Sequence, residues 1–296
     1  MGMAELRTIF PVLRRKQIEQ LTKSSHQSCG SCPTCKEGYR QYCSQARGFA
    51  FSDTDQGSLG DYRIINSEFA YAIPDSIASK HAAPLMCAGA STYEALDVGG
   101  ARSGSRVGVL GIGGLGHMAI QFAKAMGCDV TALSNAPNKA PDAFKLGADE
   151  FRDTNKLGLS FSLNGESGKL ESREAKEPQN INTILITSNV VPELSTLLPL
   201  LARRATIVLM TIQQDSLTVP YMPFVLPGHK LIASTEASLQ NHEKMLQFVA
   251  EKGIEPWVEE YAMDGDGVER AFQKLESGQM RYRGVLVRED AEGAQW

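Results

Sequence analysis

The chain has 296 residues, of which 42% are hydrophobic and 22% charged, with a formal net charge of −4. This is a globular composition, long enough to bury a core without disulfide or metal staples, and it lacks the basic balance of a nucleic-acid-binding protein. No apolar run reaches the roughly 18 residues that a membrane helix needs.

Residues 1–28 are polar and basic, with Arg14, Arg15 and Lys16 together, and read as a weakly organised lead-in or a helix. They contain no long apolar core followed by a small-residue cleavage site, so a signal peptide is not expected and a cytoplasmic location is. Leu6 stands where a myristoylation signal needs Ser or Thr.

The stretch "CGSCPTCKEGYRQYC" then places Cys29, Cys32, Cys35 and Cys43 at C-x2-C-x2-C-x7-C spacing. Four thiolates so spaced can wrap one tetrahedral zinc, and such four-cysteine sites are closed and structural. Disulfides are rare in a reducing cytosol, and the plant-type iron–sulfur spacing fits poorly. Unliganded thiols are the remaining alternative.

"GSLGDYRIINSEFAYAIPDSI" suggests short antiparallel strands broken by Gly and Pro. Ala82 to Leu96 reads as helical. The rhythm then changes. Val107 to Leu110 is a short apolar run suited to a strand buried on both faces, Leu115 to Met126 carries apolar residues at helical spacing, Gly127 ends that helix, and Val130 to Leu133 is a second strand. Ala140 to Leu146 and Glu193 to Ala202 read as helices; Thr183 to Thr187, Thr206 to Met210 and Lys230 to Ser234 read as strands. Strands alternating with helices predict an α/β fold with a doubly wound parallel sheet. Ser160 to Asn180 is polar and breaks the pattern, and reads as an exposed loop or a frayed helix. The remainder is mixed: a helix near His242–Lys252, a strand near Trp257–Tyr261, a helix near Gly267–Glu276 and a strand at Arg283–Val287.

"GIGGLG" sets Gly111, Gly113 and Gly116 at G-x-G-x-x-G spacing, with Gly114 and Leu115 between the last two. The motif follows a buried strand and opens a helix leading to another strand, which is the context a dinucleotide site requires. Gly111 allows the tight turn, Gly113 admits the pyrophosphate and Gly116 permits close packing. A glycine-rich turn without a ligand is the alternative. At the end of the second strand, Ser134 falls where an NAD site commonly has an acid. Ser134, Asn135 and Lys139 can accept a 2′-phosphate that a carboxylate would repel, so NADP(H) is expected over NAD(H), unless these residues form a plain turn.

These segments, with "APLMCAGASTYEAL", "KLGAD" and "MRYRGVLV", resemble the zinc-containing alcohol dehydrogenases of the medium-chain dehydrogenase/reductase superfamily, in the cinnamyl-alcohol-dehydrogenase-like group. The resemblance covers roughly Cys29 to Arg288. It implies a Rossmann domain inserted in a GroES-like catalytic domain, structural zinc on the four-cysteine lobe, NADP(H) selected at Ser134 and Lys139, and a small carbonyl or alcohol substrate, with a homodimer as a candidate state. The domain expectation is an atypical segment 1–28, a partial GroES-like part 29–90, a Rossmann part 91–235 and a return to the catalytic domain at 236–296.

In the family a catalytic zinc takes an early cysteine, a histidine from a Gly-His-Glu motif and a cysteine from a P-L-x-C-A-G segment. Only the last has a counterpart, Cys87, and no Gly-His-Glu occurs. The expectation is therefore of a family member lacking the N-terminal part of the catalytic domain, with Cys87 as a remnant ligand. Ser91 stands where the family usually has threonine near the nicotinamide. His26 and His81 are substitute acids by residue type only; His117 is expected to pack near the cofactor, and Cys128 to be a buried structural thiol. Two alternatives stay open: a cofactor-binding paralogue without turnover, and a metal-free reductase or isomerase.

Overall fold

The computed structural model describes residues 25–48, 67–156, 159–163, 170–174 and 181–287. Of the lead-in or helix expected over 1–28, residues 1–24 and the side chain of His26 lie outside the described residues, and Ser25–Gln27 is a strand rather than helix.

The first unit is small. Strand β1 (Ser25–Gln27) pairs antiparallel with β2 (Arg47–Gly48), and the cysteine loop between them carries the short helix α1 (Pro33–Lys36). The stretch read as β-rich has no strand among its described residues: Ser67–Phe69 forms a 3-10 turn. The run expected as one helix from Ala82 is instead three joined pieces. These are α2 (Ser79–Pro84), a π-helical turn at Leu85–Gly89 and α3 (Ala90–Val98). Such turns admit an extra residue per repeat and often mark functional sites; Cys87 sits at the middle of this one.

The main sheet follows. In chain order its elements are β3 (Arg106–Leu110), α4 (Gly116–Ala125), β4 (Asp129–Ser134), α5 (Ala140–Lys145) and β5 (Glu150–Asp153). Next come β6 (Leu159–Leu163), β7 (Leu170–Glu174), β8 (Ile181–Ile186), α6 (Leu194–Leu197), β9 (Leu201–Leu209), α7 (Tyr221–Val225) and β10 (Lys230–Ala233). The order across the sheet is β10-β9-β8-β3-β4-β5-β6-β7. The first six strands in that order are parallel. Numbered among themselves and read from β5, they run 3-2-1-4-5-6, the doubly wound dinucleotide order, with the topological switch between β3 and β8.

Period-two alternation divides the core. Val107, Val109, Val130, Ala132 and Leu185 join α3, α4, α5 and the later helix in one cluster. Leu110, Leu133, Ile184, Ile186 and Ile207 face the other way, onto α6 and the 3-10 turn Leu198–Leu200. The helix expected from Glu193 to Ala202 thus stops early, and β9 already begins at Leu201.

The loop or frayed helix expected at Ser160–Asn180 is strand at 160–163 and 170–174, while 164–169 and 175–180 lie outside the described residues. β6 pairs antiparallel with β5 and with β7, extending the sheet as a hairpin. The sequence Leu-Ser-Phe-Ser-Leu from Leu159 to Leu163 alternates with the period of a strand, and Phe161 meets Phe151 of β5 edge-on, ring centroids 6.0 Å apart.

The chain closes with α8 (Leu239–Lys252), β11 (Val258–Ala262), α9 (Gly265–Glu276) and β12 (Arg283–Val287); β11 and β12 pair parallel. Ser238 caps α8 by accepting from the Asn241 N–H, and Gly253 ends it in the left-handed conformation.

Candidate functional site

The glycine loop leaves the C-terminal end of β3 at the switch point, where open α/β sheets bind ligands. Gly111 has φ 95°, and a Cβ there would meet the Ser188 backbone at 2.7 Å. A Cβ on Gly116 would collide with the Gly111 carbonyl. Gly113, by contrast, has no atom within 4 Å of where its Cβ would be. Two glycines are thus required by packing and the third opens a space, which is the cradle a pyrophosphate needs at the N-terminus of α4. The residues present fit a dinucleotide.

One residue of this site lies in the segment "MRYRGVLV" but is given no role from the sequence. Arg283, on β12, donates from Nε to the Gly114 carbonyl at 3.1 Å. Burial lowers its pKa, and the Cys87 thiol counters that electrostatically. Arg283 therefore brings a cation to the nucleotide loop. His117 and Tyr282 stack beside it, centroids 5.2 Å apart. The Tyr282 hydroxyl donates to Asp142 at 2.7 Å, and Arg281 pairs with the same carboxylate at 3.0 Å. His117 accordingly packs within the loop's support: it is fully buried, with burial holding its pKa down at about 4.

The predicted cofactor-selecting residues are brought to one end of β4. Ser134 is buried and its Oγ accepts from the Ala136 N–H at 3.1 Å. The Asn135 carbonyl accepts from the Asn155 amide at 2.9 Å. Lys139 donates to the Ile112 carbonyl in the glycine loop at 2.7 Å, so its ammonium is turned toward the phosphate cradle. A carboxylate does lie beside Ser134: Asp153, its neighbour across β4 and β5. Its Oδ1 accepts from both the backbone and the amide N–H of Asn155, each at 2.9 Å.

Cys87 is half-buried. Ser91, one turn further along the helical run, donates to the Thr235 carbonyl at 3.2 Å. His81 lies 3.9 Å from Glu255 and away from these groups. Cys128 is buried and donates to the Arg102 carbonyl.

The four lobe cysteines converge. All four sulfurs lie within 4.8 Å of one another, with separations of 3.6 Å for Cys29–Cys43, 3.9 Å for Cys32–Cys43 and 4.0 Å for Cys29–Cys35. A tetrahedron with zinc–sulfur bonds of about 2.3 Å has edges of about 3.8 Å, whereas a disulfide needs about 2.05 Å. The backbone N–H groups of Cys32, Cys35 and Gln45 donate to the sulfurs of Cys29, Cys32 and Cys43 at 3.3–3.5 Å. These bonds favour thiolates: neighbouring N–H groups lower the Cys29 pKa to about 6. Desolvation and the adjoining thiols raise Cys35 to about 11. Four thiolates this close need a cation between them, and the donor set fits zinc. Among the described residues this is the one cluster of three or more such groups able to hold a metal.

The lobe is tied to the rest by Arg40, whose guanidinium lies 3.8 Å above the Phe69 ring and donates to the Glu68 carbonyl and the Tyr71 hydroxyl. Tyr71 in turn stacks on His242 of α8, centroids 4.7 Å apart.

The sequence profile of the zinc-binding dehydrogenases matches residues 114–251. A probable cinnamyl alcohol dehydrogenase of Populus deltoides is 35% identical over 268 residues, covering 88% of this chain and 70% of that protein. The chain belongs to the zinc-binding medium-chain dehydrogenases, in their cinnamyl-alcohol-dehydrogenase-like group. An NADP-dependent alcohol dehydrogenase C of Mycolicibacterium smegmatis is 31% identical over 272 residues, covering 88% of this chain and 72% of the relative. The structure of a cinnamyl alcohol dehydrogenase of Sorghum bicolor superposes with a TM-score of 0.77 at 27% identity, covering 92% of this chain and 74% of that one. Among the described residues, no helix is long and apolar enough to cross a membrane.

Proposed function

We propose that the chain is an NADP(H)-dependent oxidoreductase that moves hydride between the nicotinamide and an aldehyde or alcohol. The observation that carries this reading is the glycine loop at the sheet's switch point, open at Gly113 and flanked by the Arg283 and Lys139 cations. Bound NADPH supplies the hydride. The chain's own residues bind and orient it: α4 directs backbone N–H groups at the pyrophosphate, and Arg283 adds a charge-assisted contact there. Ser134, Asn135 and Lys139 receive the 2′-phosphate, with Asp153 held off by Asn155. The relatives named as cinnamyl and NADP-dependent alcohol dehydrogenases support the reaction class. Cys87 and Ser91 are the residues proposed to meet a small carbonyl or alcohol substrate.

The four-cysteine lobe is the proposed structural zinc site. The described residues do not fit a second, catalytic zinc. Cys87 offers one thiolate, no cluster of ligands gathers around it, and its charged neighbour is the Arg283 cation. A catalytic zinc keeps three protein ligands, so no step is routed through one.

That observation also favours a second reading, a cofactor-binding protein without turnover. The two are separated by following NADPH oxidation with aromatic and aliphatic aldehydes, with and without zinc and a chelator. Aldehyde-dependent oxidation that the chelator leaves unchanged is expected for a metal-free reductase. Bound NADPH with no oxidation selects the second reading. Turnover abolished by the chelator and restored by zinc contradicts the placement of Cys87 as an isolated ligand.

A further inference from the structure

At the end of the sheet opposite the glycine loop, the N-terminal ends of β3, β8 and β10 and the middle of β9 frame a cavity of about 520 Å³. That volume falls within the roughly 300–1,000 Å³ range of small-molecule sites. Strand β3 is five residues long, so at about 3.3 Å per residue its first and last residues lie about 13 Å apart. The cavity is not part of the nucleotide site.

Its lining includes Arg102, Arg204 and Lys230. Among the described residues no Asp or Glu lines it, and none of the three cations has an ion-pair partner. Three like charges around one space repel one another, and an anion relieves them. This runs against the sign of the whole chain, whose net charge is −4.

The backbone is shaped to place one of these cations. Between paired positions, β8 advances from Ile181 to Thr183 while β9 advances from Leu201 to Thr206. The extra residues bulge out, and bulges re-aim side chains. Arg204 lies in this bulge with φ 61°, the one non-glycine residue at positive φ among the described residues. A bulky residue there is strained and persists only where its surroundings over-determine it. Here the Arg204 N–H is fixed on the Pro227 carbonyl at 2.9 Å. The uncharged groups add donors. The Asn182 carbonyl oxygen is taken by the Arg106 N–H, leaving its NH2, and Ser105 Oγ accepts from the Arg102 N–H, leaving its hydroxyl proton.

We infer that this cavity is a second ligand site, one that accepts the phosphate group of a small phosphorylated molecule. A tetrahedral oxyanion with two charges matches three cations and several convergent donors better than a single carboxylate does.

The test is isothermal titration of the full chain with inorganic phosphate and inorganic pyrophosphate at low ionic strength. The main variant is Arg204→Gly with Lys230→Gln. Glycine removes the cation at a φ it adopts readily, so the fold is expected to hold. Arg102→Gln, at an exposed position off the strands, repeats the test independently. Arg203→Gln removes the same charge one residue away, outside the cavity lining, and serves as the control. Phosphate binding at least tenfold weaker in the double variant, several-fold weaker in Arg102→Gln and unchanged in Arg203→Gln is expected. NADPH affinity should stay constant throughout, so any binding of pyrophosphate at the glycine loop persists in every variant. No phosphate binding by the parent, or equal affinities in the parent and both cavity variants, overturns the assignment.

Discussion

Arg283 Nε donates to the carbonyl of Gly114 at 3.1 Å, so a side chain on the last described strand closes onto a loop 169 residues earlier. Strand β12 thereby contributes to the proposed nucleotide site. Arg283→Ala is expected to weaken NADPH binding by about ten- to a hundredfold, the worth of roughly 1.4–2.8 kcal/mol. Arg283→Lys should recover only part of it, because an ammonium lacks the planar fork. Fluorescence titration reads both; unchanged affinity would show that Arg283 only props the loop.

The zinc assignment predicts one metal per lobe. Cys35→Ala should remove about one zinc per chain and lower the lobe's protection from proteolysis, because metal binding there is coupled to local folding. Elemental analysis of the purified parent and variant decides it. A parent free of zinc contradicts the assignment.

Glu94 is a buried carboxylate on α3 that accepts from the Ser238 N–H, the Ser238 hydroxyl and the Asn241 amide at 2.8–3.0 Å. It holds α3 to the N-terminus of α8, where negative charge is favoured. Glu94→Ala strands three donors and should cost about 3 kcal/mol in urea unfolding, with Glu94→Gln costing less. An unchanged midpoint for Glu94→Ala would show that water replaces the carboxylate.

Acid sensitivity follows from two buried histidines. Burial holds both His117 and His242 at about 4, below the ordinary value of 6.5. Between those values the unfolded chain binds more protons than the folded one, so stability falls as pH falls. The loss begins near pH 6.5 and is complete below about pH 4, at most roughly 3 kcal/mol for each histidine. His242→Phe keeps a ring against Tyr71 and removes one titration, so the decline of Tm from pH 6.5 to 4.5 should become shallower. An identical slope would place the titrating groups elsewhere.

The parallel strands and the glycine loop were legible because strands buried on both faces are short apolar runs and the loop's three glycines meet steric demands within six residues. The cysteine lobe was legible for the same reason: its ligands are close in sequence. The hairpin at β6 and β7 was missed because its polar residues masked a five-residue alternation. The π-helical turn at Leu85–Gly89 follows directly on Pro84, and a one-turn irregularity of this kind is not reported by periodicity. The Arg283–Gly114 bond joins residues 169 apart and the Lys139–Ile112 bond residues 27 apart, and no local pattern encodes either.

The central claim is that the glycine loop and the end of β4 form an NADP(H) site. Ser134 caps its turn through a side-chain oxygen, a role Asp can also fill, so Ser134→Asp is expected to fold. It adds a carboxylate where the 2′-phosphate would lie. The most direct measurement is titration of the parent and of Ser134→Asp with NADPH and with NADH. The parent should bind NADPH at least about tenfold more tightly, a difference of about 1.4 kcal/mol, and Ser134→Asp should reverse the order. Equal affinities of the parent for the two cofactors, or no binding of either, would contradict the account.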